Sequence, residues 1–327
     1  MASSSGDRSA VSRDDVLAAQ RRLGTKVRRT PVIHIEANQL SPSHPAFWIK
    51  LESLQHTGAF KARGALNSLL AADIPPAGVV AASGGNHGQA VAWAARLLGV
   101  PASIYVPTTC PEIKLRRLEE YGAQVTVVGD VYDESLVVAQ FAAERSGALL
   151  VHPFDQEPTV AGAGTVTAEF LEQVPTLTKV LMPVGGGGLL AGAVAALDGQ
   201  PAVAVGVEPS SARCLGAALD AGHLVDVSVS GPAVDSLGPR RVGRLCFDAV
   251  VENGVEHVEV TDEAITKAQR VAWSELRIGL EGGGATALAA LLSGAYTAAE
   301  GDVIGVLVTG GNVDPSRLVS VPASAAR

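Results

Sequence analysis

The residue with the clearest chemical potential is Lys61, which follows a glycine turn and an aromatic residue in the stretch TGAFKARGA. It opens an apolar helix predicted over residues 62–70, in which Arg63 is the only other charge. Burial penalises the charged form of an amine, so a buried lysine loses its proton easily. A neutral amine is a nucleophile that can form a Schiff base with a carbonyl. The alternative is a lysine at a helix start whose amine reaches solvent.

Four consecutive glycines, residues 185–188, follow an apolar run that is typical of a buried strand. Backbone without side chains lets several N–H groups converge on one cluster of oxygens, and the helix predicted to follow adds its positive N-terminus. No lysine follows the glycines, as one would in a P-loop. The segment therefore predicts a phosphate site, and its alternative is a tight turn between strand and helix.

A second turn of the same kind reads Ser83-Gly84-Gly85-Asn86-His87. The Asn86 amide can donate to a phenolate-like oxygen, and the backbone N–H groups of the turn can hold a carboxylate. A single histidine such as His87 is more often a structural or capping residue than a base. Thr309 ends another strand-like run, and its hydroxyl could form one hydrogen bond. The alternative is that a threonine stands there only because of its β propensity.

The elements that must position these residues alternate between β-rich runs and alanine-rich helical stretches. The predicted strands cover residues 46–51, 78–83, 103–107, 124–128, 148–151, 179–184, 202–208, 256–260 and 303–309. The predicted helices cover residues 62–70, 88–98, 112–121, 131–145, 164–173, 189–197, 262–276 and 285–294, and Thr261 is the predicted N-cap of the helix over 262–276. This alternation predicts an α/β fold with parallel sheets, whose ligands bind at the carboxyl ends of the strands.

Composition narrows the class of protein. The chain has 327 residues, of which 47% are hydrophobic and 18% charged, and a net charge of −8. These values predict a globular protein of about two domains and disfavour nucleic-acid and membrane binding. Residues 1–13 lack the apolar segment of a secretory signal and are predicted to form a flexible leader. Three widely spaced cysteines, Cys110, Cys214 and Cys246, predict free thiols in a reducing cytoplasm and no zinc site.

A nicotinamide-binding alternative competes for the glycine run. Gly186, Gly188 and Ala191 match the spacing of a dinucleotide fingerprint, and Glu208 ends the next strand, where a ribose-binding acid would lie. This interpretation predicts an oxidoreductase. This interpretation assigns no function to Lys61 or to the turn around Asn86.

Taken together, the motifs resemble the fold-type II pyridoxal-phosphate enzymes, specifically the serine/threonine dehydratase (ammonia-lyase) and serine racemase family. The resemblance covers roughly residues 25–315, and each motif stands in the order and spacing of the family. The matching motifs are TGAFKARGA around Lys61, SGGNHGQA from Ser83, HPFDQEPTVAGAGT from His152, GGGGL from Gly185, EGGGATALAA from Glu281 and TGGNVD from Thr309.

The resemblance assigns a role to each motif. Lys61 would carry pyridoxal 5'-phosphate as a Schiff base and later take the Cα proton of the substrate, with Phe60 packed near the ring. Asn86 would bind the phenolic oxygen of the cofactor, and Thr309 would face its ring nitrogen. The backbone would hold the cofactor phosphate at Gly185, Gly186, Gly187, Gly188 and Leu189. The substrate carboxylate would lie among Ser83, Gly84, Asn86 and His87.

The resemblance also implies an architecture and an activity. The fold would be two-lobed and similar to the tryptophan synthase β-subunit, with a large cofactor-binding domain of residues 1–72 and 152–327 and a small domain of residues 73–151. The small domain would close over the substrate. The activity would be dehydration and deamination of L-threonine and L-serine to a 2-oxo acid and ammonia, in a cytoplasmic homodimer. Racemisation, or dehydration of another β-hydroxy amino acid such as 3-hydroxyaspartate, is the alternative.

Two positions depart from the family pattern. Racemases of this family carry a serine opposite the lysine, and the corresponding residue here is Gly84, so the resemblance implies poor racemisation. The divalent-metal site of the family uses an acidic residue, a backbone carbonyl and a second carboxylate. Glu208 and Ala212 match the first two, whereas Cys214 takes the place of the second carboxylate. Hard cations require oxygen ligands, so the departure puts that metal site in doubt.

Overall fold

The computed structural model describes residues 10–42 and 44–314. Its strands are β1 Val32–Ile35, β2 Phe47–Leu51, β3 Val79–Ala82, β4 Ala102–Val106, β5 Gln124–Val127, β6 Leu149–Leu150, β7 Lys179–Pro183, β8 Val203–Pro209, β9 Glu256–Val260 and β10 Ile304–Val308. Its α-helices are α1 Arg13–Leu23, α2 Lys61–Leu70, α3 Asn86–Leu98, α4 Glu112–Glu120, α5 Tyr132–Ser146, α6 Glu157–Gln173, α7 Gly188–Leu197, α8 Cys214–Ala221, α9 Val234–Leu237, α10 Arg244–Asn253, α11 Asp262–Leu276 and α12 Gly282–Ser293.

The strands form two sheets. A six-stranded sheet has the order β1-β2-β10-β7-β8-β9, and a four-stranded sheet has the order β5-β4-β3-β6. All neighbouring strands run parallel except β1, which pairs antiparallel with β2. The parallel α/β architecture predicted from the alternation of elements is therefore confirmed. The edge strand β1 was not predicted, because its four residues VIHI carry too short a pattern to distinguish from a loop.

The central strand β10 and helix α12 are apolar because both are buried in the core. All five of its residues are buried, and helix α12, which packs on the same sheet, is buried along Gly282–Leu292. A helix that is apolar on all sides belongs in the core of a protein or in a membrane. Within the described part of the chain, no helix has the length and apolar character needed to cross a bilayer.

Helices α2, α6 and α7 pack closely through glycines. A Cβ on Gly164 would lie 2.4 Å from the carbonyl oxygen of Gly192, and one on Gly162 would lie 2.7 Å from that of Arg63. The sequence predicted that helix α6 begins at residue 164, but it begins at Glu157. Glycine normally weakens a helix interior. Here Gly162 is needed where the backbone of α2 touches α6, so tertiary packing overrides the local signal.

Helix α1 corrects the interpretation of residues 1–13 as a leader. Residues 1–9 lie outside the described residues, but Ser12 is an N-cap that forms a capping box with Asp15, and the helix follows directly. Val16, Ala19 and Leu23 are buried on its inner face. The signal was present in the sequence, because a serine followed three residues later by an acidic residue is typical of a helix start. The N-cap predicted at Thr261 is confirmed, since its side chain accepts from the backbone N–H of Ala264.

A buried ion network joins the start of α2 to the six-stranded sheet. The Arg63 guanidinium donates to both oxygens of Glu52 at 2.8 Å and to Glu169 at 3.0 Å. Lys50 Nζ forms an ion pair with Glu169 and donates to the carbonyl oxygen of Thr30 at 2.7 Å. The four charged side chains are almost fully buried and balance in sign. Such pairs are costly to break, because the remaining charge is left without a partner.

We expect Glu169→Gln to lower the free energy of unfolding by about 3–5 kcal/mol, because it leaves Lys50 and Arg63 with one carboxylate between them. Glu172→Gln is the matched control on the same helix, since its pair with Arg29 is about half exposed. An exposed pair contributes at most about 1 kcal/mol. Urea unfolding of both variants measures the difference, and equal losses would contradict the importance of the network.

Candidate active site

Lys61 is the first residue of helix α2, and its amine faces a polar backbone group. Its Nζ donates to the carbonyl oxygen of Pro153 at 2.7 Å and lies 5.1 Å from the centre of the Phe60 ring. The residue keeps some contact with solvent, but desolvation of its amine lowers the pKa to about 8, against the opposing charge of Glu281. A substantial fraction of the amine is therefore neutral near physiological pH, as a nucleophile requires.

The turn before Lys61 is held in an unusual backbone conformation. Thr57 and Gly58 have positive φ values of 61° and 74°. A Cβ on Gly58 would lie 2.5 Å from Oδ1 of Asn312, so only glycine fits there. Asn312 also donates to the carbonyl oxygen of Thr57 at 2.8 Å. The residues that follow β10 thus clamp the turn from which the lysine projects.

Thr309 lies beside the same turn. It is buried directly after β10, and its carbonyl oxygen accepts from the backbone N–H of Phe60 at 3.0 Å. The next residue, Gly310, forms a β-bridge with Ala59. The structure therefore brings two residues that were predicted separately, Phe60 and Thr309, into direct backbone contact at the carboxyl end of the central strand.

Asn86 links the four-stranded sheet to the end of the six-stranded sheet. It begins helix α3 directly after the turn that follows β3. Its Nδ2 donates to Glu281 Oε1 at 2.6 Å, and its Oδ1 accepts from Asn312 at 2.7 Å. The predicted cofactor ligand therefore lies beside the clamp around Lys61, and its amide is held in place from both sides.

Ser83 and His87 of the same turn have hydrogen-bond partners in the backbone. Ser83 Oγ accepts from the backbone N–H of Gly85 at 3.2 Å. His87 is buried, and its Nε2 lies 2.9 Å from the carbonyl oxygen of Val151. Burial and then the charge of Lys61 lower the pKa of His87 to about 3. This neutral, hydrogen-bonded ring favours the structural alternative for His87 over a role as a base.

Glu281 opens the motif EGGGATALAA and is a functional candidate to which the sequence alone assigned no role. Burial raises the pKa of its carboxyl group to about 7, although the hydrogen bond from Asn86 and the charges of Lys114 and Lys61 lower it. The nearby Asp235 raises it further. An acidic residue directly before a buried, glycine-rich helix was the signal available in the sequence. Perturbed acids of this kind are concentrated at functional sites.

The glycine run forms a buried backbone cradle at the N-terminus of helix α7. Gly187 has a φ of 86°, and a Cβ on Gly186 would lie 2.2 Å from the Phe154 ring. No other described residue accepts a hydrogen bond from the backbone N–H of Gly186 or Gly187. Buried N–H groups need partners, and a helix N-terminus attracts anions. The geometry suits a phosphate group.

The segment from His152 to Asp155 connects the lysine to the glycine run. The carbonyl oxygen of Pro153 accepts a hydrogen bond from the Lys61 amine, and the Phe154 ring packs against Gly186. Asp155 accepts from the first backbone N–H groups of helix α10 at 3.0 and 3.1 Å. The residue before that helix, Gly243, donates to the carbonyl oxygen of Gly186 at 3.0 Å. Sequence reasoning assigned no contacts to this segment, because they are visible only in three dimensions.

Glu208 does not occupy the position that the nicotinamide alternative requires. It is fully buried, and its carboxylate accepts from the backbone N–H groups of Leu215 and Gly216 at 2.9 Å each. Its Oε2 also lies 2.8 Å from Nε2 of His257. The carboxylate therefore binds the N-terminus of helix α8 and a side chain of strand β9. It has no free oxygen to offer a ribose, so the dinucleotide interpretation of Gly186, Gly188 and Glu208 is wrong.

Comparison with known proteins now identifies the family. Residues 6–310 match the family described as pyridoxal-phosphate dependent enzyme. The chain belongs to this family. It is 38% identical over 300 residues to an L-threonine ammonia-lyase of Geobacter sulfurreducens, in a match that covers 90% of this chain and 74% of that protein. The predictions of family, of fold type and of pyridoxal phosphate as the cofactor are therefore confirmed.

Solved structures give the same result. Maize serine racemase superposes with a TM-score of 0.88 at 34% identity, covering 94% of this chain and 96% of that one. A threonine deaminase from T.th. superposes with a TM-score of 0.84 at 35% identity, covering 93% of this chain and 99% of that one. The neutral fraction of the Lys61 amine and the unpaired N–H groups of the glycine run fit the aldehyde and the phosphate of the cofactor.

We expect the rate at which Lys61 reacts with added pyridoxal phosphate to rise with pH through a midpoint near 8, because only the neutral amine attacks. The negative charge of Glu281 raises the pKa of Lys61. Glu281→Gln should therefore move the midpoint to lower pH. Stopped-flow absorbance of cofactor-free protein between about pH 6 and 10 measures it. The control is Glu275→Gln at the exposed Glu275, and a midpoint unchanged in Glu281→Gln would contradict the coupling.

Proposed function

We propose that this chain eliminates water from L-threonine and L-serine, and that hydrolysis of the resulting imine takes up water and releases ammonia and the 2-oxo acid. The observation that carries the proposal is the desolvated, partly neutral amine of Lys61, which Pro153 and Phe154 connect to the unpaired backbone N–H groups of the glycine run. The relative from Geobacter sulfurreducens is named as an L-threonine ammonia-lyase, and its sequence covers most of this chain. Both observations support an eliminating lyase.

The residues of the site would divide the work as follows. When bound, the cofactor withdraws electrons from the Cα of the substrate, so that its proton becomes acidic. Lys61 would hold the cofactor and, once displaced by the substrate amine, accept the Cα proton. Asn86 would hold the phenolic oxygen, and the backbone from Gly185 to Leu189 would hold the phosphate. Thr309 would face the ring nitrogen with a hydroxyl rather than a carboxylate.

The character of Thr309 favours elimination over reactions that need a long-lived carbanion. A hydroxyl facing the ring nitrogen would leave that nitrogen without a proton, so the bound cofactor would withdraw electrons less strongly than it would beside an aspartate. Prompt departure of the β-hydroxyl is then the favoured outcome. The backbone N–H groups around Ser83, Gly84 and Asn86 would hold the substrate carboxylate meanwhile, with the first turn of helix α3 at His87 behind them.

We also propose the assembly and location implied by the family resemblance. The large domain would comprise residues 1–72 and 152–327, and the small domain residues 73–151. The four-stranded sheet lies within residues 79–150, in support of this division. The three cysteines are unpaired, as a reducing cytoplasm would keep them. A homodimer is the commonest assembly of soluble enzymes, and analytical ultracentrifugation would test it.

We expect Lys61→Ala to abolish turnover of L-threonine and L-serine together with the visible absorption of the bound cofactor. The variant removes both the attachment point and the base. The purified protein is mixed with pyridoxal phosphate and each amino acid, and 2-oxo acid and ammonia are measured. Lys267→Ala, at the exposed Lys267, is the control and should retain full activity. Turnover in Lys61→Ala, or a wild type that forms no 2-oxo acid, would overturn the proposal.

Racemisation is the alternative activity, and the structure refines how it can be tested. A side chain at Gly84 would supply an acid on the face opposite Lys61, but its Cβ would lie 2.3 Å from Sγ of Cys110. We therefore expect Gly84→Ser alone to gain little, because the serine and the thiol compete for one space. The double variant Gly84→Ser/Cys110→Ala should form D-serine from L-serine measurably faster than wild type.

Chiral chromatography of the serine pool measures this change, and Cys110→Ala alone is the control. It enlarges the space beside Gly84 without adding an acid, so its rate of D-serine formation should match the wild type. Equal D-serine formation in the double variant and in Cys110→Ala would contradict the role given to position 84.

A further inference from the structure

A buried polar cluster lies directly behind the glycine run. It consists of Glu208 at the end of β8, Cys214 at the start of α8 and His257 on β9, and we refer to it as the Glu208 cluster. Glu208 and Cys214 are fully buried. The cluster takes no part in the chemistry proposed for Lys61, yet one of its members touches the cradle for the phosphate.

Both carboxylate oxygens of Glu208 have hydrogen-bond donors nearby. A carboxylate offers about four acceptor positions. The backbone N–H of Leu215 at 2.9 Å and the Cys214 thiol at 3.4 Å approach Oε1, while the backbone N–H of Gly216 at 2.9 Å and His257 Nε2 at 2.8 Å approach Oε2. Two of these donors belong to the first turn of helix α8, whose dipole also favours a negative charge there. The buried charge is thus stabilised by protein groups alone.

Cys214 connects this carboxylate to the glycine run. Its Sγ lies 3.1 Å from the carbonyl oxygen of Gly185, to which it donates, and 3.4 Å from Glu208. The thiol therefore stands between two oxygen acceptors, where its single proton can serve either. A change at Cys214 acts on the first residue of the phosphate cradle without touching the cofactor itself.

A divalent cation does not fit the same place. The resemblance implied a metal site built from Glu208, the carbonyl of Ala212 and a carboxylate at position 214. Mg²⁺ and Ca²⁺ bind oxygen ligands, but position 214 carries sulfur and both oxygens of Glu208 are engaged. Among the described residues, no group of three or more histidine, cysteine, aspartate or glutamate side chains is arranged to hold a metal.

We propose that the Glu208 cluster positions the glycine run for the cofactor phosphate by hydrogen bonding alone, so that cofactor binding is independent of divalent metal. The thiol of Cys214 supplies the link to Gly185, and Glu208 and His257 fix the thiol. Cys214 is a positioning residue, because it acts through the loop and not on the substrate. This inference rests on the proposed function only in assuming that the glycine run holds the phosphate.

The first experiment compares the protein after treatment with EDTA and after addition of MgCl₂ or CaCl₂. The dissociation constant for pyridoxal phosphate, from absorbance titration, should change less than about twofold, and the Tm of the cofactor-free protein should not change. A tenfold tighter cofactor complex with either cation, or a clear rise in Tm, would overturn the inference. The Tm readout does not need turnover or cofactor. A cation response therefore counts against the Glu208 cluster, whereas failure of the wild type to bind the cofactor counts against the proposed function.

The second experiment uses three variants of the buried cysteines. Cys214→Ala should weaken cofactor binding about three- to tenfold, the usual effect of one hydrogen bond. Cys214→Ser should remain within about twofold of the wild type, because a hydroxyl can donate to the same carbonyl. Cys246→Ala is the matched control, since its buried side chain packs against Gly187 of the same loop.

Loss of packing alone would affect Cys246→Ala and Cys214→Ala alike, whereas the proposed hydrogen bond predicts a selective loss that serine restores. All three dissociation constants are read against the Tm of each variant, so that a general loss of stability is recognised. Equal cofactor affinity in Cys214→Ala and Cys246→Ala, or a serine variant as weak as alanine, would overturn the role of Cys214.

Discussion

The buried ion network of Lys50, Glu52, Arg63 and Glu169 is the interaction on which the position of Lys61 depends. Arg63 lies two residues after the lysine, and its guanidinium is held by two carboxylates from different elements. The start of helix α2 is therefore fixed against strand β2 and helix α6. A lysine on an unanchored helix end would turn its amine toward water, because hydration favours the charged form. The network instead keeps the amine at the carbonyl oxygen of Pro153, where desolvation lowers its pKa.

Close backbone contacts made by glycine supply the rest of the geometry. Gly164 and Gly192 let helices α6 and α7 touch, and α7 is the helix whose N-terminus carries the phosphate cradle. Gly186 in turn lies against the Phe154 ring, next to the residue that receives the amine of Lys61. The lysine and the cradle are thus joined through helix contacts that admit no side chain. A methyl group on any of these glycines would move Lys61 relative to the glycine run.

The sequence allowed the parallel α/β architecture and the pyridoxal-phosphate cofactor to be predicted, because strand–helix alternation and the ordered motifs are both visible as local patterns. Strands with continuous apolar residues, such as β7 and β10, are recognisable without knowledge of their neighbours. The start of helix α6 was missed because Gly162 is required by its contact with helix α2, which the local sequence does not show. The roles of Glu281 and Asp155 were missed for the same cause, since their partners are Asn86 and helix α10, both distant in the chain. The ribose-binding alternative for Glu208 rested on its place at the end of a strand, but its carboxylate points to the backbone N–H groups of Leu215 and Gly216.

Burial shifts the pKa values of Lys61 and Glu281 toward each other. Burial lowers the pKa of the amine to about 8 and raises that of the carboxyl group to about 7, and each charge partly offsets the shift of the other. Both groups therefore change protonation within a narrow range around neutrality, where general acid–base catalysis is most effective. Asn86 joins the pair to the four-stranded sheet by donating to Glu281. A movement that separates Asn86 from Glu281 would remove a hydrogen bond that lowers the pKa of the carboxyl group and, with it, the negative charge that supports the protonated lysine. The protonation of Lys61 is thereby coupled to the hydrogen bond between Asn86 and Glu281.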